Sequence, residues 1–305
     1  MKKHVPKNHH KILHPYQRHL CEVVGLSPQT CQNHLRDIRS FLAAVPIRRV
    51  DELAKLTPVN LTDYLTARSA DYEPASLRQV AGSLRHFLRF AQQQGWTSPS
   101  LSLAVPKIAC RTQHDLPAYL SVQQLELLLG SWDRHTAEGR RDLAISLCLT
   151  RLGLRAGEVA ALMLEDLNWR QGTLRLNQSK NGNPAQLPVL SDVGKAIADY
   201  LRAGRPACRY RQVFLWHQPA RPMDRRGISQ VIRRGLRQCG IVVPHPGAHV
   251  LRHTLASHLV QNGASLKEVA DLLRHRHLNS AAVYAHLDVA HLRPLAQPWP
   301  KEASL

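Results

Sequence analysis

Apolar residues spaced three and four apart run through most of this chain, and they lapse between Gly95 and Leu120. From Pro74 to Gln94, the residues Leu77, Val80, Ala81, Leu84, Phe87, Leu88 and Ala91 fall on one face of a helix, the period that a packed bundle requires. Ser27-Pro28 and Thr57-Pro58 each set a capping hydroxyl ahead of a proline suited to the first helical turn. The first half is therefore expected to be an all-helical bundle. The break carries Pro99, Pro106 and Pro117 around a polar "CRTQHD", which reads as a linker placed at 111–120, between a domain at 1–110 and a second at 121–305. A chain of 305 residues is long enough to bury two separate cores.

Past the break, Ser121 and Gln124 form a capping box ahead of Leu125, Leu127 and Leu128. Helical segments dominate again, with one exception. "GTLRLNQSKNGNPAQLPV", residues 172 to 189, holds two short alternating stretches around an Asn-Gly turn signal and predicts a β-hairpin with Lys180 at or near its tip. A helix is expected from Ser191, "RQVFLW" is a short strand candidate, and further helices follow from about Gly227, Gly247, Ser265 and Asn279. The fold class is mainly α, an α+β chain with a helical-bundle first domain and a mostly helical second domain carrying a small hairpin or sheet.

Charge narrows the partners. The formal net charge is +19 at pH 7, with Lys and Arg outnumbering Asp and Glu 15 to 7 in residues 1–110 and 26 to 15 thereafter. An excess shared by both halves favours a polyanion, with nucleic acid the usual case, through neutralised phosphates and released counterions. Between Arg202 and Arg237 stand ten arginines and a single acid, Asp224, making Arg202, Arg205, Arg225, Arg226, Arg233 and Arg234 candidates for phosphate contact. No stretch reaches about eighteen consecutive apolar residues, and the opening "MKKHVPKNHHKILHPYQRHL" lacks the apolar run of a signal peptide. A cytoplasmic protein without membrane contact is the expectation. The six cysteines stand far apart with no CxxC pair, so neither a disulfide framework nor a structural zinc site is indicated.

The chemistry concentrates at "GAHVLRHTLASHLVQNGASLKEVADLLRHRHLNSAAVYAH", residues 247 to 286. His249 and Arg252, three apart, project from one helical face. Ser265 and Glu268 cap the next helix, His275 falls just past its end, and Tyr284 follows nine residues on. Upstream, "LGLRAGE" offers Arg155, with Gly153 and Gly157 permitting close backbone approach and Glu158 placed to brace the guanidinium. Arginine forks match the non-bridging oxygens of a phosphodiester under attack. A phenol, with an ordinary pKa of about 10, needs a base or nearby cations to attack, and a leaving sugar hydroxyl needs a proton that a lysine can give. Two arginines, two histidines, a lysine and a tyrosine meet the demands of phosphoryl transfer without a metal.

In this order, "LGLRAGE", a hairpin lysine, "HVLRHT" and "LLRHRHLNSAAVYAH" closely resemble the tyrosine recombinase, or phage-integrase-like, family over roughly residues 121 to 290. The helical first half is similar to that family's core-binding, SAM-like domain. The resemblance implies that Tyr284 attacks a scissile phosphate to give a 3'-phosphotyrosyl link and a free 5'-hydroxyl. Arg155 and Arg252 would hold the phosphate oxygens, Lys180 would act as general acid, His249 would contribute base chemistry and His275 would hydrogen-bond the phosphate. Glu158 and His253 would support them. It further implies double-stranded DNA as substrate, no cofactor and no metal, two domains clamping the duplex, four protomers in the synapse with room for an accessory or sister recombinase, and a C-terminal tail that packs on a neighbour. Integration, excision, transposition and resolution all remain open.

Three departures from the family pattern stand out: Arg151-Leu152 before Gly153-Leu154-Arg155, Ser179 before Lys180, and Leu273-Arg274-His275 where Leu-Gly-His is usual. Lys195 is the near substitute for Lys180. Two other classes stay in play. One is a metal-dependent hydrolase using His249, His253 and His258, which lacks a carboxylate partner and the H-E-x-x-H order. The other is a DNA-binding regulator that keeps the fold without the reaction.

Overall fold

The computed structural model describes residues 9–109, 118–177, 184–275 and 282–287. The chain forms two compact units, Met1–Gln113 and His114–Leu305.

The first unit is helical. Helix α1 (His10–Arg18) runs on through a π turn at His19–Val23, followed by α2 (Pro28–Ala44), α3 (Pro58–Ser69) and α4 (Pro74–Gln93). The starts follow the capping chemistry: the Ser27 hydroxyl accepts from the Thr30 amide, Thr57 forms a reciprocal box with Asn60, and each is followed by proline in the first turn. All seven apolar positions expected on one face of α4 are buried, and they pack with Ile12, Tyr16, Ile38 and Phe41 in one core. Buried Asp37 is satisfied by the Ser83 hydroxyl at 2.9 Å and by Arg36 Nε at 3.1 Å.

The second unit is built around α6 (Ala137–Arg151), buried along nearly its whole length. Around it lie α5 (Val122–Gly130), α7 (Ala156–Ala161), α8 (Ser191–Ala203), α9 (Arg225–Gln238) and α10 (Ala248–Gln261), with α11 (Leu266–Leu272) and a 3₁₀ segment at Ala282–Leu287 beyond. Strands β1 (Leu167–Asn168), β2 (Thr173–Leu176) and β3 (Ala185–Pro188) make an antiparallel sheet in that order. The register pairs Leu174 with Leu187 and Leu176 with Ala185, so the expected hairpin has its two arms. Its turn, with Lys180, lies outside the described residues. A second hairpin pairs β4 (Leu215–His217) with β5 (Ala220–Pro222), shorter and later than the "RQVFLW" expectation.

Two interactions fix how α10 sits. The amide of Leu120 donates to the Thr254 hydroxyl at 2.9 Å, and His258 Nε2 meets the Leu120 carbonyl at 2.9 Å. At the start of α9, Asp224 caps the Gly227 amide at 2.8 Å. Ile228, Val231, Ile232 and Leu236 bury one face of α9, leaving much of its arginine complement on the other. Ala256, Val260, Val269, Ala270 and Leu273 form a small separate cluster between α10 and α11, and Tyr284 closes it. No helix among the described residues is long and apolar enough to cross a membrane.

Candidate active site

The site begins at a backbone turn. Gly153 has φ 56°, which disfavours an L side chain, and a Cβ there would come within 2.8 Å of Leu273 Cδ2 and 3.1 Å of Leu255 Cδ2, so both leucines would have to shift to admit one. Gly157 differs from expectation: a Cβ there would meet nothing within 4 Å, so no close protein approach explains it. It lines the same open cleft as Arg155.

Arg155 stands at the cap of α7. Its amide donates to Glu158 Oε2 at 2.8 Å and its NH1 to Oε1 at 2.7 Å, while its NH2 donates to the Arg274 carbonyl at 3.1 Å. Burial opposes the charge on Glu158, yet the Arg155 amide and the guanidinium groups of Arg274 and Arg155 hold its carboxyl below the usual range. Glu158 thus accepts from both the amide and the guanidinium of Arg155.

Arg252, on α10, is buried and donates from NH1 to the Gly153 carbonyl and from NH2 to the Leu273 carbonyl. One side chain thereby ties the turn after α6 to the end of α11. Burial, then the cations Arg155 and Arg274, lower its pKa to about 10, which leaves it charged at neutral pH.

Tyr284 is buried, and its hydroxyl lies 2.6 Å from His253 Nδ1. Burial raises the phenol to about 12, with Arg252 pulling the other way. Burial, then His249, Arg252 and His275, lower His253 to about 4. The histidine is therefore neutral and the tyrosine protonated near pH 7, so the phenol donates to Nδ1 and the other ring nitrogen carries the histidine proton. The sequence suggests His249 for base chemistry and His253 for support; it is His253 that touches the phenol. The His249 ring stands 6.2 Å from that of His253, centroid to centroid, and His249 lines the cleft with Arg155.

His275 follows α11, its amide bonded to the Ala270 carbonyl at 2.9 Å. Burial, then Arg252, Arg155 and Arg274, depress it to about 4. These depressed histidines make stability pH-dependent. Unfolded histidine titrates near about 6.5, so below that pH the unfolded chain takes up protons that folded His253 and His275 refuse until about 4. Their contribution is fully present above about 6.5 and is lost as pH falls toward 4. Melting temperatures recorded from pH 7.5 down to 4.5 should drop below about pH 6.5, and His253→Gln should flatten part of that drop. Equal slopes in the two proteins would contradict the assignment.

The cleft beside Arg155 has a volume of about 1080 Å³ and is lined by Arg225, Arg226, Arg233, Arg237, Trp216 and His249, among others. Arg237 lies outside the sequence-derived candidate set. The other arginine candidates lie differently. Arg202 borders a separate groove with Trp169 and Leu190. Arg205 spends its donors on the carbonyls of Tyr210, at 2.5 Å, and Gln212, at 3.0 Å. Arg234 reaches into the cleft wall but bonds buried Asp142, which also holds Arg141 at 2.8 Å. Among the described residues no group of three His, Cys, Asp or Glu side chains is placed to hold a metal ion. Of the three histidines a hydrolase would use, His253 is committed to Tyr284 and His258 to a backbone carbonyl.

Sequence comparisons agree with this architecture. The pattern described as the phage integrase family matches residues 118–291, and that of the phage integrase N-terminal SAM-like domain matches residues 13–95. The chain belongs to the phage integrase family, the tyrosine recombinases. Its chemistry is accordingly that of an enzyme working through a covalent phosphotyrosyl intermediate. Among relatives, y4rA of Sinorhizobium fredii, whose name reads it as an integrase/recombinase, is 37% identical over 98% of this chain and 73% of that one. Tyrosine recombinase XerD of Listeria monocytogenes is 29% identical over 88% and 91%. In fold, the chain is similar to a lambda integrase dimer bound to a COC' core site, with a TM-score of 0.70 at 18% identity over 96% and 98% of the two chains. It is also similar to XerH bound to a palindromic difH substrate, with a TM-score of 0.69 at 16% identity over 93% and 82%.

Proposed function

We propose that this protein is a site-specific DNA recombinase in which Tyr284 Oη attacks a scissile phosphate of double-stranded DNA. The new bond joins Oη to phosphorus at the 3' side, and the bond to the 5' oxygen breaks. Arg155 and Arg252 hold the non-bridging oxygens, where arginine forks counter the charge that develops. His275 hydrogen-bonds the phosphate. The phenol proton passes to the imidazoles of α10, with His253 as the group already bonded to it and His249 adjoining it. Lys180 gives a proton to the departing 5' oxygen. The covalent link conserves the bond energy, and a 5'-hydroxyl from a partner strand reverses the attack.

The observation that carries this assignment is the bridge made by Arg252. It draws the Arg155 turn and the approach to His275 together, on the helix whose next residue, His253, holds Tyr284. Basic residues in both units suit contact with one duplex, and the α9 arginines lining the cleft suit backbone phosphates near the reacting one. Four protomers in a synapse acting on cytoplasmic, nucleoid DNA complete the proposal, with integration, excision, transposition and resolution all open as its settings.

The target sequence need not be known to test it. In a pool of nicked duplexes with a randomised core, the short fragment bearing the released 5'-hydroxyl diffuses away and cannot reverse the attack, so the protein should accumulate as a detergent-resistant DNA adduct that selects its own site. The expected yield is the same with excess chelator. Loss of activity in chelator would favour the hydrolase class, and tight binding with no adduct would favour a regulator that has lost the reaction.

A further inference from the structure

The turn Leu273-Arg274-His275 carries an arginine in a conformation suited to glycine. Arg274 has φ 54° and is alone among the described non-glycine residues in the left-handed region. An L side chain is disfavoured there, so the residue must be held by what it touches. Its NH2 donates to Glu158 Oε2 at 2.9 Å and to the Gly153 carbonyl at 3.4 Å, and its NH1 to the Leu272 carbonyl at 3.2 Å. Its own carbonyl accepts from Arg155 NH2 at 3.1 Å. The side chain is 13% exposed, against 3% for Glu158, so this is no surface pair.

Glu158 therefore lies between two guanidinium groups, Arg155 on one oxygen and Arg274 on the other. The difference matters for charge. Paired with Glu158 alone, Arg155 would be neutralised, leaving Arg252 as the uncompensated cation of the group. With Arg274 present, three guanidinium groups face one carboxylate, and a surplus of two positive charges remains where a phosphate must gain negative charge.

We propose that Arg274 is a positioning residue for strand transfer, fixing Arg155 through the shared Glu158 carboxylate and through its own carbonyl while supplying the positive charge that Glu158 would otherwise cancel. The proposal rests on the roles given above to Arg155 and Tyr284.

Two substitutions separate backbone from side chain. Arg274→Gly relieves the left-handed turn and keeps the carbonyl, whereas Arg274→Lys keeps a cation without the fork. On a duplex selected by capture, with protein saturating, Arg274→Gly should form the Tyr284 adduct about 10- to 100-fold more slowly. Its duplex affinity should stay within about threefold, and its melting temperature should fall by less than the loss of the buried pair alone would bring, because glycine removes the left-handed strain. Arg274→Lys should recover part of the rate. Combined with Glu158→Gln, the losses should be less than multiplicative, because both substitutions act on Arg155. A wild-type rate in Arg274→Gly overturns the proposal. So does a loss that only tracks a lower melting temperature and multiplies fully with Glu158→Gln. If the unsubstituted chain forms no adduct, or forms one that survives Tyr284→Phe, the recombinase assignment falls and this proposal with it, an outcome recognisable because Arg274 is intact.

Discussion

Tyr284→Phe is expected to abolish the detergent-resistant DNA adduct while leaving duplex binding and the fold in place. The substitution removes the atom proposed to bond to phosphorus. The ring remains to pack with Ala256, Val260, Val269, Ala270 and Leu273, so the apolar cluster is kept. What the fold loses is the hydrogen bond to His253 Nδ1. A single such bond is worth about 1 kcal/mol net, which for a domain of this size lowers the melting temperature by about 2–4 °C. A large chemical defect beside a small thermal one is the signature to look for in parallel adduct and melting assays. An adduct formed at normal yield by the phenylalanine variant would mean that some other side chain is the nucleophile, and the catalytic assignment would have to be abandoned.

Arg252→Lys should cost the single-turnover cleavage rate about 10²- to 10³-fold, on the scale of deleting a preorganised donor to a developing oxyanion. The positive charge survives this change, but the fork does not, and an ammonium cannot donate in two fixed directions to the Gly153 and Leu273 carbonyls. Both carbonyls are buried in the turn; that of Leu273 would lose its donor, at a cost of about 1–3 kcal/mol, while that of Gly153 would keep only the long bond from Arg274. Stability should therefore fall as well, by more than in Tyr284→Phe. The discriminating measurement is the cleavage rate at a temperature well below the lowered midpoint. A rate within about threefold of wild type there would show that Arg252 has only an architectural role.

The sequence made the catalytic domain legible because its chemistry is arranged in chain order and its helices announce themselves at their starts. Ser265 with Glu268 and Ser121 with Gln124 are reciprocal caps in the folded protein, as their spacing suggests. The contact between His253 and Tyr284 was not legible, since it depends on how the chain returns after α11, and no local period encodes that path. The surface arginines were legible only as composition. Counting charge between Arg202 and Arg237 says nothing about which helical face each occupies. Arg233 and Arg234 both line the cleft, but Arg234, rotated about 100° around the helix, spends its guanidinium on buried Asp142. The sequence did flag position 274 as a departure, but the consequence of that departure emerged only when the turn was seen to be left-handed and its guanidinium seen on Glu158.

The two acceptors of Arg252 are peptide oxygens, which every amino acid carries. The identities of the residues at the end of α11 can therefore drift under mutation without loosening Arg252, so long as the turn keeps its path. Position 153 has less freedom, because its φ disfavours an L side chain and a Cβ would press on buried Leu273. Glu158 has less still, because a carboxylate is needed on two sides at once. Tolerance to substitution around this centre is thus set by which atoms do the holding and which side chains are buried, and it should be wide at exposed Leu272, confined to apolar residues at Leu273, which packs in the cluster between α10 and α11, narrow at 153 and narrowest at 158.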